Sequence, residues 1–405
     1  MNKKGFAKAE PFLFSSLLYG MKVNKTLWVL VFISVINSMG FGIIIPLLYS
    51  YGKKFGVTEQ TIGLLTAAFS IAQFFATPVL GSLSDKFGRK PILAISLMGT
   101  CASFILFGLA NSIVLLFAAR ILDGITGGNI SVAQAMVSDM SSPKERAKNF
   151  GILGSAFGFG FVIGPAVGGL LSKFGEKVPF FFAAGIAVVG VLLTVFLLEE
   201  TNKNKDDSAK KSNFNFISLI TVLKKPVIGT AVFIGFLLTM AQFTMIIGFQ
   251  TFTVDVLKLQ PHEIGLFYAG FGITGILMQL AVPLIKKVIS SQALILLLST
   301  ICCLGMMILA GFATGMALFA VSIGIYGLFN GLRNPMLNAI IADHNNDSEK
   351  GEVMGINQSY ASIGQTLGPV TAGLVTVISV HSVFFLSSLY ILIAFLFSIR
   401  LKSRE

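Results

Sequence analysis

GSLSDKFGRK, residues 81–90, places Asp85, Lys86, Arg89 and Lys90 between two long apolar runs, residues 61–80 and 91–110. So dense a knot of charge belongs in water, whereas a run of about 20 apolar residues is long enough to cross a bilayer as a helix. The stretch therefore reads as a tight connection between two spanning helices. The rest of the chain agrees. Of its 405 residues 54% are hydrophobic and 12% charged, with a mean hydropathy of +0.84, against roughly 25% charged residues in a soluble domain. This is the pattern of an all-α integral membrane protein. Twelve spans are expected, near 26–48, 61–81, 91–110, 113–136, 149–171, 179–198, 227–250, 263–285, 292–311, 315–340, 352–376 and 381–399.

Charge placement orients these spans. If the N-terminus is inside, the segments on that side carry 23 of the 30 Lys and Arg and the opposite loops carry 5; Arg120 and Arg333 are the remaining two. The positive-inside bias puts both termini in the cytoplasm. The formal charge of +12 is thus a matter of topology and calls for no nucleic-acid partner. Trp28 and Tyr51, near the two ends of the first span, are expected in interfacial belts. Cys101, Cys302 and Cys303 lie inside apolar runs with no Cys-x-x-Cys spacing, so they read as small buried hydrophobes and no metal site is expected. His262, His344 and His381 fall at or near helix ends, which gives no intramembrane histidine relay. The first 24 residues have two readings, a cytoplasmic arm or a chain whose true start is Met21. A cleaved signal peptide would strand Lys22 and Lys25 outside.

The segment TNKNKDDSAKKSNFN, residues 201–215, is polar and reads as a solvated linker. It divides the chain into a cytoplasmic arm (1–25), a first six-helix bundle (26–198), a linker (199–226), a second bundle (227–400) and a tail (401–405). Gly127, Asp139, Gly151, Gly164, Pro165 and Gly169 recur 204 residues later as Gly331, Asp343, Gly355, Gly368, Pro369 and Gly373. A repeat of this length implies duplicated halves related by a pseudo-twofold axis along the membrane normal, the arrangement that lets two bundles rock about a midplane site.

With Gly81, Asp85, Gly88, Arg89 and Lys90 in register, residues 81–90 resemble the signature loop of the major facilitator superfamily, and the resemblance covers essentially the whole chain. Gly81 and Gly88 permit a tight turn and close helix approach. The resemblance implies that Asp85 is a conformational latch, meeting the cytoplasmic start of the eleventh span near Gly351 and Glu352 and holding an outward-open state. The alternative is that these charges serve topology alone, which needs Lys and Arg but neither Asp85 nor the glycines. The second-half counterpart, PLIKKVISSQ, lacks the acid.

In the fourth span, RILDGITGG sets Arg120 and Asp123 three residues apart on one helix face. Both lie roughly 10–15 Å below the outer interface by helix rise. A charge at such depth costs on the order of 3 kcal/mol, which makes function the default reading. Arg120 followed by Gly124, Gly127 and Gly128 resembles a signature of proton-coupled drug antiporters. Asp123 with Arg120 is accordingly the leading proton-coupling site, the alternative being a permanent structural bridge. In the fifth span, GSAFGFGFVIGPAVGG resembles the antiporter motif at Gly164, Pro165, Gly168 and Gly169, the alternative being generic tight packing, because GPVTAG recurs at 368–373. NSMGFGIIIP, residues 37–46, is similar to the tetracycline-efflux pattern but carries Asn37 where that pattern has an acid.

Candidate substrate contacts are Asn37, Asn129, Gln242, Asn330, Asn334 and Asn338, which can orient a ligand without a charge cost, and Phe41 and Phe243, which offer stacking surfaces. Arg333 either leaves the pathway mildly positive, admitting an anionic or zwitterionic compound, or snorkels toward the cytoplasm. No GxxxxGK[ST] phosphate loop and no buried nucleophile–base pair occurs, so neither ATP hydrolysis nor an enzyme is expected. The expected protein is a monomeric, multi-pass secondary transporter of the cell (inner) membrane. It would need no cofactor, drawing energy from the proton gradient, and would export small amphipathic compounds in the manner of tetracycline and multidrug efflux proteins. A sugar or metabolite facilitator without obligatory proton coupling is the alternative.

Overall fold

The computed structural model describes residues 25–202, 216–344 and 350–403. The N-terminal arm with its two possible starts, residues 203–215 of the linker and the end of the tail lie outside the described residues. Every regular element among those described is helical: α1 Lys25–Gly52, α2 Glu59–Phe87, α3 Arg89–Leu109, α4 Ile113–Gly127, α5 Ile130–Met140, α6 Pro143–Leu171, α7 Val178–Leu197, α8 Phe216–Leu223, α9 Ile228–Thr251, α10 Pro261–Val288, α11 Gln292–Gly311, α12 Met316–Asn330, α13 Arg333–Asp343, α14 Lys350–Val375 and α15 Val380–Lys402. Helix starts are set by local chemistry. Ser112 and Ser291 accept from Leu115 N–H and Leu294 N–H, and Gln260 opens α10 through a capping box with Glu263.

Eleven spans among the described residues are long and apolar enough to cross a membrane. The remaining expected span, α14, has the length, 26 residues, but Asn357, Gln358, Ser359, Ser362, Gln365 and Thr366 dilute its apolar character. The fourth span is broken into α4 and α5 at Gly128–Asn129, and the tenth into α12 and α13 at Gly331–Leu332. The repeat read from the glycines therefore places a helix interruption at equivalent depth in each half.

Lys25, Gly88, Leu198, Ile228 and Lys402 share one end of the bundle, called here the linker end; Gly52, Leu171, Thr251 and Val375 share the far end. In the first half α1 packs on α6 and α7, α3 on α4 and α7, and α2 on α4. In the second, α9 packs on α14 and α15, α11 on α12 and α15, and α10 on α12. Shifting each span by six maps one set onto the other. The halves meet through α2 on α14 and α6 on α10, and the same shift exchanges these two crossings.

Glycine makes these contacts backbone on backbone, which is how helices associate in lipid, where no hydrophobic force drives them together. Gly160, Gly164 and Gly168 lie on α1: a Cβ at Gly160 would strike Ser38 Oγ, one at Gly164 would sit 2.5 Å from Met39 O, and one at Gly168 2.7 Å from Ile43 O. Gly364 and Gly368 repeat this on α9, 2.9 Å from Phe236 O and 2.6 Å from Met240 O. The crossings between halves use a different face. A Cβ at Gly169 would lie 2.9 Å from Gly265 Cα, and one at Gly63 would run into Pro369 O and sit 3.1 Å from Gly373 Cα.

Both crossings lie at the far end. Gly169 faces Gly265, and Gly272 faces Val162. Continued toward the linker end, that antiparallel register would set Gly158 and Gly154 on α10, yet neither has a neighbouring heavy atom within 4 Å. The halves therefore close at the far end and separate toward the linker end. Tyr51 does not stand in an interfacial belt. It is buried, and its hydroxyl donates to Phe107 O and Ala110 O at 3.3 Å each, closing the end of α3.

Gly265→Leu should wedge the α6–α10 crossing open. Overpacking costs about 1–3 kcal/mol, so labelling of an Ala372→Cys reporter by a membrane-impermeant maleimide should rise roughly tenfold. The reporter site is buried in the far-end cluster. Gly270→Leu, at a glycine with no neighbour within 4 Å, should leave the labelling rate unchanged.

Candidate functional site

The charged stretch at 81–90 is almost wholly helical. α2 runs through Gly81 to Phe87 and α3 begins at Arg89, leaving Gly88 alone between them at φ +106°. Gly81 is thus a helical residue and makes no turn; its nearest neighbour across the gap, Ser131 Oγ, is at an ordinary 3.6 Å from an added Cβ. The reversal rests on Gly88, which is required twice over. Its backbone conformation disfavours any side chain, and a Cβ there would lie 2.6 Å from Glu200 Oε2.

Glu200 occupies that space for a reason: its carboxylate accepts from the first two N–H groups of α3, Arg89 (3.0 Å) and Lys90 (3.1 Å). An acid at a helix N-terminus satisfies free donors and complements the macrodipole. Arg89 is buried and gathers the rest. Its guanidinium reaches Asp85 (2.6 Å), Asp139 (3.1 Å) and Ser84 Oγ (2.7 Å). Thr201 donates to Asp139 at 3.1 Å, and Asn202 donates to Asp85 O at 2.8 Å. Asp85 therefore pairs within its own half. The side chains of Gly351 and Glu352, its expected partners on the eleventh span, lie outside the described residues. Lys90, by contrast, takes part through its backbone N–H. In the second half Gln292 donates to Asp343 at 2.8 Å, a neutral counterpart of Arg89 on Asp139.

Deep in the first half, Arg120 and Asp123 are both buried, with Nη1 3.5 Å from Oδ2. The pair is loose. Arg120 Nε and Nη1 and Asp123 Oδ2 make no hydrogen bond, while Ser103 Oγ donates to Asp123 Oδ1 at 3.4 Å. Aromatic rings enclose the guanidinium: Phe69 lies 5.2 Å from its carbon, Phe41 and Phe107 5.8 Å each, within cation–π range. Phe41, expected on the substrate path, packs against Arg120 and the rings of Phe69 and Phe161.

Just below comes the α4–α5 interruption. Each carbonyl around it finds a side-chain donor: Thr126 O from Ser96 (2.5 Å), Gly127 O from Gln73 (3.0 Å), and Gly128 O from Ser131 (2.9 Å). Non-helical backbone at membrane depth is tolerated only with such satisfaction. Asn129, released by the break, accepts from Asn37 Nδ2 at 3.2 Å, tying α1 to the interruption. Asn37 and Asn129 thus come together with Phe41 and Arg120 in one region of the first half.

The second-half candidates form another group. Arg333 is buried, its Nη1 donating to Leu238 O at 2.8 Å and its Nε to Asn334 Oδ1 at 3.2 Å. It does not snorkel; it lines a small cavity with Asn330 inside the second half. Asn334 and Asn338 are exposed. Gln242 and Phe243 are half-buried on α9, where Phe243 packs against Gly368 of α14. Of the antiporter-motif residues, Gly164 and Gly168 serve α1, Pro165 sets its ring against Gly42, and Gly169 serves the crossing between halves.

A polar clasp at the far end was not foreseen. Asp255, in a π-helical turn after α9, accepts from Tyr49 Oη of α1 at 2.5 Å and pairs with Lys53, bridging the two halves. An acid closing the seventh apolar run, opposite the external lysines, was the available signal. Likewise Glu200, in LLEETN after the sixth span, is an acid on the lysine-rich side.

A profile of the Major Facilitator Superfamily matches residues 30–331 and 291–405. The chain is 29% identical to multidrug resistance protein 2 of Bacillus subtilis over 371 residues, covering 88% of this chain and 90% of that protein. It is 26% identical to the quinolone resistance protein NorA of Staphylococcus aureus over 355 residues, 87% and 90% of the two chains. Among solved structures, the nucleoside transporter NupG superposes with a TM-score of 0.74 at 15% identity, covering 93% of this chain and 98% of that one. A bacterial homologue of the human lysosomal transporter Spinster superposes with a TM-score of 0.76 at 14% identity, covering 95% and 99%. The chain belongs to the major facilitator superfamily. It is a membrane-embedded transporter of small molecules, not an enzyme.

Glu200→Ala should destabilise the protein by about 1–2 kcal/mol, as loss of a helix cap does. Gly88→Ala should cost more alone than in the Glu200→Ala background, because the clash with Oε2 then disappears. A double-mutant cycle of denaturant unfolding in micelles checks both.

Proposed function

We propose that this chain exports small amphipathic compounds across the cytoplasmic membrane in exchange for protons, by rocking of its two halves, residues 26–198 and 227–400, about a central cleft. The protein works as a monomer and needs no cofactor. The observation that carries the reading is the loose Arg120–Asp123 pair, buried beneath three phenylalanine rings beside a helix interruption. Burial penalises the charge on Asp123 while Arg120 stabilises it. A small change in their separation shifts the balance between a bound and a released proton. A tight, fully hydrogen-bonded bridge would have favoured a structural role. The two bacterial relatives are named for multidrug and quinolone resistance, which supports the same reading.

Under the positive-inside rule the linker end is cytoplasmic, so the separated halves present an inward-open cleft that loads from inside. Rocking would then part the Gly63–Gly373 and Gly169–Gly265 crossings and the Asp255 clasp, releasing the compound outside. The proton gradient supplies about 2.3 kcal/mol per charge per 100 mV, in addition to the pH difference.

In proteoliposomes with an imposed pH gradient, wild-type protein should move ethidium against its gradient. Asp123→Asn should abolish that transport while leaving counterflow of preloaded ethidium. Gradient-driven transport that survives in Asp123→Asn would remove Asp123 from proton coupling. Counterflow of sugars without any response to pH would favour the facilitator reading.

A further inference from the structure

α8 belongs to no span. Its eight residues, FISLITVL, are too few to cross a bilayer. All but Ser218 and Thr221 are apolar, and the sequence sets a pair of lysines on either side, Lys210 and Lys211 before and Lys224 and Lys225 after. One face holds the helix at the linker end. Val222 is buried in the core of the second half, and Val222 O lies against the first turn of α9, 2.7 Å from a Cβ added at Gly229. α8 also touches α14. The other face is open: Ile220 is 62% exposed and Leu223 39%. Three residues apart, they share one side of the helix.

Cations gather at the same corner. α15 runs antiparallel to α9, and two contacts fix the register: Ser387 Oγ donates to Ala241 O at 2.9 Å, and the rings of Phe233 and Phe397 meet edge to face at 5.0 Å. Continued toward the linker end, that register sets residues 400–402 level with Ile228, about a helix diameter from the turn that carries Lys224. Lys224, Arg400 and Lys402 are exposed, and none has a carboxylate within 4 Å among the described residues. Leu396 and Ile399 stand exposed just above them on α15. Exposed apolar side chains beside unpaired cations, at the level where the spans end, suit one surrounding, the boundary where acyl chains give way to headgroups. The positive-inside rule alone would explain the lysines, but neither a helix outside the spans nor its open apolar face.

We propose that the corner formed by α8, the start of α9 and the end of α15 binds an anionic phospholipid. Lys224, Arg400 and Lys402 receive its phosphate, and its acyl chain lies over Ile220 and Leu223. Because α8 touches both α9 and α14, the lipid holds the linker-end starts of two helices from outside the cleft. The site does not depend on which compound is transported or on how transport is energised.

The test places a fluorescent reporter in the site, Ile220→Trp in a Trp28→Phe background, and measures its quenching by brominated phosphatidylglycerol and by brominated phosphatidylcholine at equal mole fraction in nanodiscs. A cation near the membrane surface is worth about fivefold in affinity for an anionic lipid. The three should therefore favour phosphatidylglycerol by roughly tenfold or more, and Lys224→Gln should reduce that preference about fivefold. Lys286→Gln with Lys287→Gln, exposed at the linker end of α10, should leave it unchanged. In the unaltered protein, amide hydrogen exchange over Phe216–Leu223 should slow severalfold when phosphatidylglycerol replaces part of the phosphatidylcholine, a result that needs no variant to fold. Quenching by neither lipid would put the open face of α8 in water and overturn the proposal. So would equal quenching by both, a preference untouched by Lys224→Gln or reduced as much by the α10 pair, or exchange that ignores the lipid. Inorganic phosphate that slows exchange equally in pure phosphatidylcholine would assign the cations to a free anion and overturn it too.

Discussion

Two helix crossings in which backbone meets backbone, Gly63 on Gly373 and Gly169 on Gly265, hold the halves of this protein together at the far end. In the proposed rocking, a contact made by interlocked side chains would have to be unpicked each time the halves part. Smooth glycine faces resting on carbonyls need only slide and separate. The same residue type does a different task inside each half, where Gly160, Gly164 and Gly168 on α1, and Gly364 and Gly368 on α9, set helices of one half against each other. Pairs of residues 204 apart, such as Gly164 with Gly368 and Gly169 with Gly373, thus divide into contacts within a half and contacts between halves according to helix face.

Around these crossings the charges are sorted by depth. At the linker end Arg89 draws Asp85, Asp139 and Ser84 together, and Glu200 fastens the chain leaving the sixth span to the same knot. At the far end Asp255 joins Tyr49 and Lys53 across the halves. Between these layers sit two arginines, one answered by Asp123 and the other, among the described residues, by neutral oxygens, each beside a broken helix. Asn129 lies in the first interruption and Arg333 opens the helix that follows the second.

Much of this was legible in the residues. The alternation of apolar runs and lysine-rich segments gave the spans, because hydrocarbon thickness sets helix length regardless of neighbours. The 204-residue repeat anticipated which glycines would occupy equivalent contacts. The pairing of Arg120 with Asp123 followed from helix geometry alone. What stayed hidden depended on distant partners. Nothing local marks Glu200 as the cap of a helix that begins 111 residues earlier, or Asp255 as the mate of Tyr49. Gly81 looked like a turn residue because the charges around it resemble a loop, whereas both helices simply continue through them and one left-handed glycine makes the reversal. Tyr51 looked interfacial by position, but unsatisfied carbonyls at the end of α3 claimed its hydroxyl.

The polar composition of α14 bears on how the chain is made. A segment with so many amides and hydroxyls has little tendency to leave the translocation channel for lipid unaided, and depends on helices already in the bilayer to receive it. α9 and α2 are the surfaces it packs against, and both precede it from the ribosome. Membrane integration of the second half is therefore tied to correct placement of a helix from the first, so the two halves, for all their internal likeness, are not independent products of synthesis.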